Sequence, residues 1–211
     1  MDDCCTAKGD ELSSLKNNHK KVLLFVLIIN ASLFGIELGA GFLANSTALI
    51  ADSLDMLGDS FVYGFSLYVL WRSAEWKAKA ALLKGVVMAV FGMGVLLEAI
   101  HKLMAGILPT AEIMGLIGTL VLLGNAVCFF LLYQYRSDDL NMRSTWLCSR
   151  NDIVANVAVL LAALSVKVFE ASWPDIMVGA GIAALFLQSA LSILRESISE
   201  LQAIKSQTSL G

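Results

Sequence analysis

Residues 22–43 read VLLFVLIINASLFGIELGAGFL, a run of 22 residues in which Glu37 is the only charged side chain. At about 1.5 Å of rise per residue, a helix of this length crosses the roughly 30 Å hydrocarbon core of a bilayer. Comparable apolar runs can be drawn at about 48–71, 80–101, 111–134, 144–167 and 175–194. The sequence therefore predicts an all-α integral membrane protein whose six transmembrane helices form a bundle.

The composition of the chain agrees with a membrane protein. Its mean hydropathy is +0.73 and charged residues make up 16% of its 211 residues, whereas charged residues near 25% are usual in soluble domains. The formal net charge of −3 and the pI near 5.3 leave no strongly basic surface. We therefore expect the lipid bilayer as a partner and no nucleic acid.

Positive charge alternates between the segments that connect the apolar runs. Two basic residues, Lys102 and Lys167, fall on one side of the predicted bundle, and Arg150 lies inside a span. Twelve fall on the other side: Lys8, Lys16, Lys20, Lys21, Arg72, Lys77, Lys79, Lys84, Arg136, Arg143, Arg195 and Lys205. By the positive-inside rule we expect a multi-pass protein of the cell membrane with both termini in the cytoplasm.

The same reading divides the chain into three parts. Residues 1–21 form a polar cytoplasmic head that lacks the cleavage site of a signal peptide, so the first apolar run is expected to be retained. Residues 22–194 form the transmembrane domain, and residues 195–211 form a short, partly helical cytoplasmic tail. Because 17 residues follow Leu194, we expect no soluble C-terminal domain.

Three acids interrupt the second apolar run, at ADSLDMLGDS over residues 51–60. On a helix Asp52, Asp55 and Asp59 fall within roughly 60° of one another, and the last two are one turn apart. Because a carboxylate at mid-bilayer costs about 2.5 to 3.5 kcal/mol, such a face needs compensation. It is either a packing face with protonated acids that are hydrated or bonded to Ser or Asn side chains, or a site where a divalent cation sits between carboxylates.

The fifth apolar run repeats this spacing in CSRND, residues 148–152, where Cys148 and Asp152 are again i, i+4. Taken alone, Cys148 is more typical of a small buried hydrophobe than of a metal ligand. Together with Asp55 and Asp59, however, the pair predicts a four-coordinate metal site with three oxygens and one sulfur. Such a site has no open position for a catalytic water. We therefore expect a binding site rather than an enzyme, with no cofactor and with the metal ion as transported substrate.

Two segments resemble the cation diffusion facilitator family. NASLFGIELGAGFLANSTALIADSLDMLGDS, residues 30–60, resembles its first two helices, and NMRSTWLCSRNDIVANVAVLLAA, residues 141–163, resembles its fifth. The matching positions are Asn30, Glu37, Gly41, Ser46, Asp52, Asp55, Asp59, Asn125 and Asp152. The resemblance covers about residues 20–198 and implies export of divalent transition metals in exchange for protons. Proton exchange also follows from the ligands, because carboxyls and a thiol must lose protons to bind a metal.

Two departures from the family pattern shape the expected cargo and assembly. Cys148 stands where the family usually has His, and a soft sulfur ligand favours zinc and cadmium, with cobalt third. The family's cytoplasmic domain is expected to be absent, so we predict a homodimer formed through membrane helices.

Residues beyond the quartet are candidates for supporting roles. Asn30, Glu37, Asp52, Asn125 and Asn156 are candidates for lining the ion route or supporting the site. Cys4 and Cys5, with His19, are candidates for metal capture at the cytoplasmic mouth, the alternative being an unstructured polar head.

Two rival functions follow from the same features. An intramembrane aspartyl protease also needs two membrane acids, but its Gly-x-Gly-Asp motif is replaced here by Met56, Leu57, Gly58 and Asp59, and no Tyr-Asp pair occurs. A metal sensor or subunit that does not transport is the second rival, and a transport assay in liposomes separates it from an exporter.

Overall fold

The structure is a computed structural model that describes residues 17–69, 74–135 and 140–208. Within these ranges, the side chains of residues 17–20, 59, 61–69, 74–75, 77, 140–145, 147–148 and 205–208 lie outside the described part. All regular secondary structure of the described residues is helical, in six helices. They are α1 (Asn17–Ala44), α2 (Thr47–Val69), α3 (Ala74–Ala105), α4 (Ala111–Tyr133), α5 (Leu140–Phe169) and α6 (Trp173–Thr208).

The prediction of an all-α membrane bundle is confirmed. Five of these helices, all except α2, are long and apolar enough to cross a membrane over their described residues. The continuous run of described side chains in α2 ends at residue 58 and is too short for the same comparison. Large apolar side chains such as Leu43, Leu116 and Met177 remain exposed on the outer faces, as expected of a surface that contacts lipid rather than water.

Three chain connections meet at one end of the bundle, which we call the turn end. Each begins with a residue of positive φ directly after a helix: Asn45 at 53°, Gly106 at 63° and Glu170 at 48°. At the first of them the Ser46 N–H donates to Gly41 O over 2.9 Å and the Asn45 N–H donates to Phe42 O over 3.3 Å. This pair of bonds is a Schellman motif, which ends α1 and reverses the chain into α2.

Helix α2 occupies the centre of the bundle, where it packs against α1, α3, α5 and α6. Every residue from Ser46 to Leu54 is buried. Apolar residues of this stretch form two cores: Ile50, Ala51 and Leu54 pack with α3 and α6, and Ala48 and Leu49 pack with α1, α4 and α5. Asp52 is therefore held inside the protein rather than toward lipid.

Helices α3, α5 and α6 are longer than the apolar runs that predicted them. Helix α6 continues to Thr208, 14 residues beyond the predicted end of its span at 194. Ile193 and Ser197 are buried along this part, and α6 packs along α3. The longer helix follows from packing, because a helix persists wherever a neighbour covers one face, whatever the hydropathy of the other.

Candidate metal site

A chain of buried polar side chains crosses the middle of the bundle. Asn125 Nδ2 on α4 donates to Asn156 Oδ1 on α5 over 3.0 Å, and Asn156 Nδ2 donates to Asp52 Oδ2 on α2 over 2.5 Å. All three side chains are at most 2% exposed. The oxygen and the nitrogen of the Asn156 amide are thus both hydrogen-bonded, and Asp52 accepts at Oδ2. The hydrogen bond to Asp52 from an Asn side chain is of the kind expected for a packing face.

Glu37 on α1 extends this row. Its side chain is fully buried, and the Asp52 carboxyl is the group within its bonding reach. Neither Glu37 oxygen accepts a hydrogen bond from a fixed donor such as a backbone N–H or an amide. We call the row Asn125, Asn156, Asp52 and Glu37 the polar chain. It joins four helices, α4, α5, α2 and α1, and contains four of the five residues predicted to line or support the route.

Asn30, the fifth of these predicted residues, lies two turns from Glu37 on α1. It is 4% exposed, and its side-chain oxygen has no hydrogen-bond partner. Asn30 is therefore buried but is not shown in the polar chain, and its supporting role stays a prediction.

The predicted ligands begin one turn from the polar chain on the same two helices. Asp55 follows Asp52 by three residues on α2, and Asp152 precedes Asn156 by four on α5; both side chains are half-buried and each has an interaction partner. The side chains of Asp59 and Cys148 lie outside the described residues. No group of three or more His, Cys, Asp or Glu side chains that could hold a metal occurs among the described residues, so the four-ligand site stays a prediction.

Other predicted candidates fall mostly outside the described part of the chain. Cys4 and Cys5 precede it, and His19 lies in α1 with an undescribed side chain. Cys128, in α4, is a free thiol that is 1% exposed and packs with Leu23, Val26 and Leu132. Cys128 is therefore a buried thiol in an apolar cluster.

The sequence reasoning missed Asp175, which caps α2 from the first turn of α6. Asp175 Oδ2 accepts from the Thr47 N–H over 2.7 Å. Its Oδ1 accepts from the Ser46 hydroxyl over 2.6 Å and from the Ala48 N–H over 3.1 Å. The Leu49 N–H donates to Ser46 Oγ, and the Ile50 N–H donates to Ser46 O. The Thr47, Ala48 and Leu49 N–H groups, which have no acceptor within the helix, are thus satisfied, and the Ile50 N–H makes the first i to i−4 bond of α2.

Ser46 before an apolar helix is a recognisable N-cap signal, but no local pattern points from it to residue 175. The carboxylate of Asp175 lies at the N-terminal ends of both α2 and α6, where helix dipoles favour negative charge. We call Asp175 with Ser46, Thr47 and Ala48 the Asp175 cap. It fastens α6 to α2 at the turn end.

A second buried charge lies at the same end. Lys102 of α3 is 4% exposed, and its Nζ lies 2.8 Å from Glu98 Oε1 one turn earlier. The contact is an ion pair without an aligned hydrogen bond. Snorkelling toward water, the simplest expectation for a lysine near a helix end, therefore does not apply to Lys102.

Comparison with known proteins identifies the family. Residues 23–202 match the family described as the cation efflux transmembrane domain. The chain belongs to the cation diffusion facilitator family. The family match covers all six helices, so the resemblance found in helices 1, 2 and 5 extends to the whole membrane domain.

Individual relatives of this family carry transporter names rather than enzyme names. The chain is 28% identical over 199 residues to a cadmium, cobalt and zinc/H(+)-K(+) antiporter of Bacillus velezensis, covering 86% of this chain and 62% of the relative. It is 26% identical over 199 residues to the zinc transporter ZitB of Escherichia coli, covering 88% and 64%. The chain thus spans less than two thirds of the length of these relatives.

Proposed function

We propose that the protein exports divalent transition-metal ions in exchange for protons, with zinc and cadmium as the preferred cargo and cobalt third. The observation that carries the proposal is the buried polar chain, which sits one helical turn from the i, i+4 pairs of α2 and α5. Burying carboxyl and amide groups inside a membrane bundle costs free energy, and such groups usually mark the place where an ion or a proton binds. The names of the related antiporter and zinc transporters support the same activity.

The proposed ligands are Asp55 and Asp59 on α2 with Cys148 and Asp152 on α5. Helices α2 and α5 pack against each other, so the two pairs are on neighbouring elements. Asp52 is occupied by Asn156 and is assigned to support of the site, as are Asn30, Glu37, Asn125 and Asn156. The bound ion is substrate, and the protons that the ligands lose on metal binding provide the exchange.

The assignment is tested by flux measurements in liposomes that contain the purified chain. Asp59→Ala and Asp152→Ala should each abolish metal-driven proton movement, since each removes one ligand from a closed site. Glu112→Gln, on the exposed face of α4, is the matched control and should transport like the wild type. Normal flux in both aspartate variants would refute the ligand assignment, and a wild type that binds metal without moving it would favour a sensor.

Cargo preference is proposed to depend on Cys148. A thiolate suits zinc and cadmium, while imidazole suits zinc and lacks the sulfur that cadmium prefers. Cys148→His should therefore retain zinc transport and lower the cadmium-to-zinc ratio in competition assays. An unchanged ratio would show that Cys148 fills space and does not bind the ion.

Assembly and orientation complete the proposal. We infer a homodimer through membrane helices, with both termini cytoplasmic in the cell membrane; the support for orientation is the distribution of basic residues. Mass measurement in native-like lipid tests the dimer, and a transporting monomer would refute it.

Labelling of single cysteines introduced at Asn45 and near the C-terminus tests orientation: a membrane-impermeant reagent added to intact cells should reach Asn45 alone.

A further inference from the structure

The pattern of hydrogen bonds around Glu37 is unlike that around the other buried acids of the described residues. Asp175 accepts three hydrogen bonds, and Asp52 accepts one from Asn156. Glu37 accepts none at either oxygen although it is fully buried. A buried carboxylate with no donor is very unfavourable, whereas a protonated carboxyl carries its own donor.

The direction of the hydrogen bonds in the polar chain indicates which carboxyl group carries the proton. Asn125 donates to the oxygen of Asn156, which leaves the amide NH₂ of Asn156 to donate to Asp52 Oδ2. That oxygen of Asp52 is therefore an acceptor. Glu37 faces the same carboxyl, and two carboxyl groups can bond to each other only when one of them is protonated. A hydrogen bond donated to a carboxyl group favours its charged form; Asp52 receives one from Asn156 and Glu37 receives none, so we place the proton on Glu37, which donates to Asp52.

Among the described residues, another acid rather than a basic side chain acts on Glu37. Asp52 is the titratable group that faces it from α2, and the polar residue that α4 contributes to this layer is the neutral Asn125. Among the buried side chains of the described residues the one basic group is Lys102, which lies at the turn end beside Glu98. A proton is thus the available counter-charge for Glu37 while no metal is bound.

We propose that Glu37 is a proton-binding residue of the transport cycle, distinct from the metal ligands and joined to them through Asp52. The inference rests on the proposed metal-for-proton exchange. When a divalent cation enters one turn away on α2, its positive charge stabilises a second carboxylate nearby. The O–H bond of Glu37 then breaks, the proton passes to water, and Glu37 remains as a carboxylate. Return of a proton to Glu37 favours release of the cation.

The experiment counts protons released per metal ion. The wild-type chain in nanodiscs is titrated with Cd²⁺ or Zn²⁺ by calorimetry in two buffers of different ionisation enthalpy, and Glu37→Gln is measured in the same way. Glutamine keeps the shape and supplies an N–H donor to Asp52, so metal binding should persist while proton release falls by about one per ion. The control Glu112→Gln should release as many protons as the wild type, and Asp152→Asn should lose metal binding.

The outcomes separate this inference from the proposed function. If the wild type exchanges metal for protons and Glu37→Gln releases the same number, Glu37 is not a proton carrier, although the exporter proposal stands. If the wild type binds no metal or releases no protons, the proposed function fails and the Glu37 inference fails with it.

A measurement on the wild type covers the case in which Glu37→Gln does not fold. Difference infrared spectra of protein labelled with ¹³C-glutamate should show a protonated glutamic acid band that disappears on addition of Cd²⁺. The absence of such a band before metal addition would overturn the proposal.

Discussion

Two buried carboxyl groups, Asp175 at the turn end and Glu37 in the polar chain, have the same chemistry and opposite surroundings. Asp175 accepts three hydrogen bonds, two of them from backbone N–H groups at the start of α2. Glu37 accepts none and faces another acid. A carboxylate saturated by donors stabilises the fold, while one without donors needs a proton or a cation. Substitutions at the turn end should therefore change stability, and substitutions in the polar chain should change metal binding or the proton release that accompanies it.

The largest expected loss of stability comes from Asp175→Ala. It leaves the Thr47 and Ala48 N–H groups and the Ser46 hydroxyl buried without their acceptor, which should lower the free energy of unfolding by about 2 to 4 kcal/mol. Unfolding of the purified chain in detergent measures the change. Asp175→Asn keeps one acceptor oxygen and should lose less. Equal stability of wild type and both variants would show that the Asp175 cap does not stabilise the fold.

A smaller loss is expected where α6 crosses the start of α2. A Cβ added at Gly179 would lie 2.6 Å from the carbonyl carbon of Thr47 and 2.8 Å from the Ala48 nitrogen. Because these are backbone atoms, Gly179→Ala should destabilise by about 1 to 3 kcal/mol. Gly181→Ala is the matched control, since no atom lies within 4 Å of its Cβ position. Equal melting temperatures of the two variants would show that α6 does not pack closely against the start of α2 at Gly179.

A substitution in the polar chain should change metal affinity more than stability. Asn125→Ala removes one neutral hydrogen bond, worth about 1 kcal/mol of stability. It also frees the amide of Asn156, so Cd²⁺ affinity should fall about 10- to 100-fold, as when supporting residues of metal sites are lost. Thr119→Ala, which removes a hydroxyl bonded to Gly115 O on the same helix, should change neither quantity. A large loss of stability in Asn125→Ala with unchanged Cd²⁺ affinity would contradict this prediction.

The smallest effect is expected for the exposed ion pair between α4 and α5. Lys167 Nζ lies 3.5 Å from Glu112 Oε1, and the two side chains are 65% and 70% exposed. Water screens such a pair, so Lys167→Gln should change stability by less than about 0.5 kcal/mol. The stability change of Lys167→Gln is the reference for the other substitutions at the turn end. A loss as large as that of Asp175→Ala would mean that charge at this end matters more than hydrogen bonding.

The sequence by itself determined the class of the protein, its helices and the spacing of its acids. Hydrophobic runs of bilayer length predict membrane helices because the lipid core forces the backbone to satisfy its own hydrogen bonds. The i, i+4 spacing of Asp55 and Asp59 and of Cys148 and Asp152 places each pair on one helical face. The buried state of Asn30, Glu37 and Asn125 also agrees with their predicted place inside the bundle.

Only the tertiary structure decided what each buried acid does. Asp175 reaches Ser46 across 129 residues, and Asn156 reaches Asp52 across 104. Helical periodicity gives the face of a residue but not the neighbour that covers that face, because the neighbour depends on how six helices pack together. For this reason Asp52, Asp175 and Glu37 are alike in the sequence as acids in apolar runs, while in the structure one is bonded to an amide, one caps a helix, and one meets only another carboxyl.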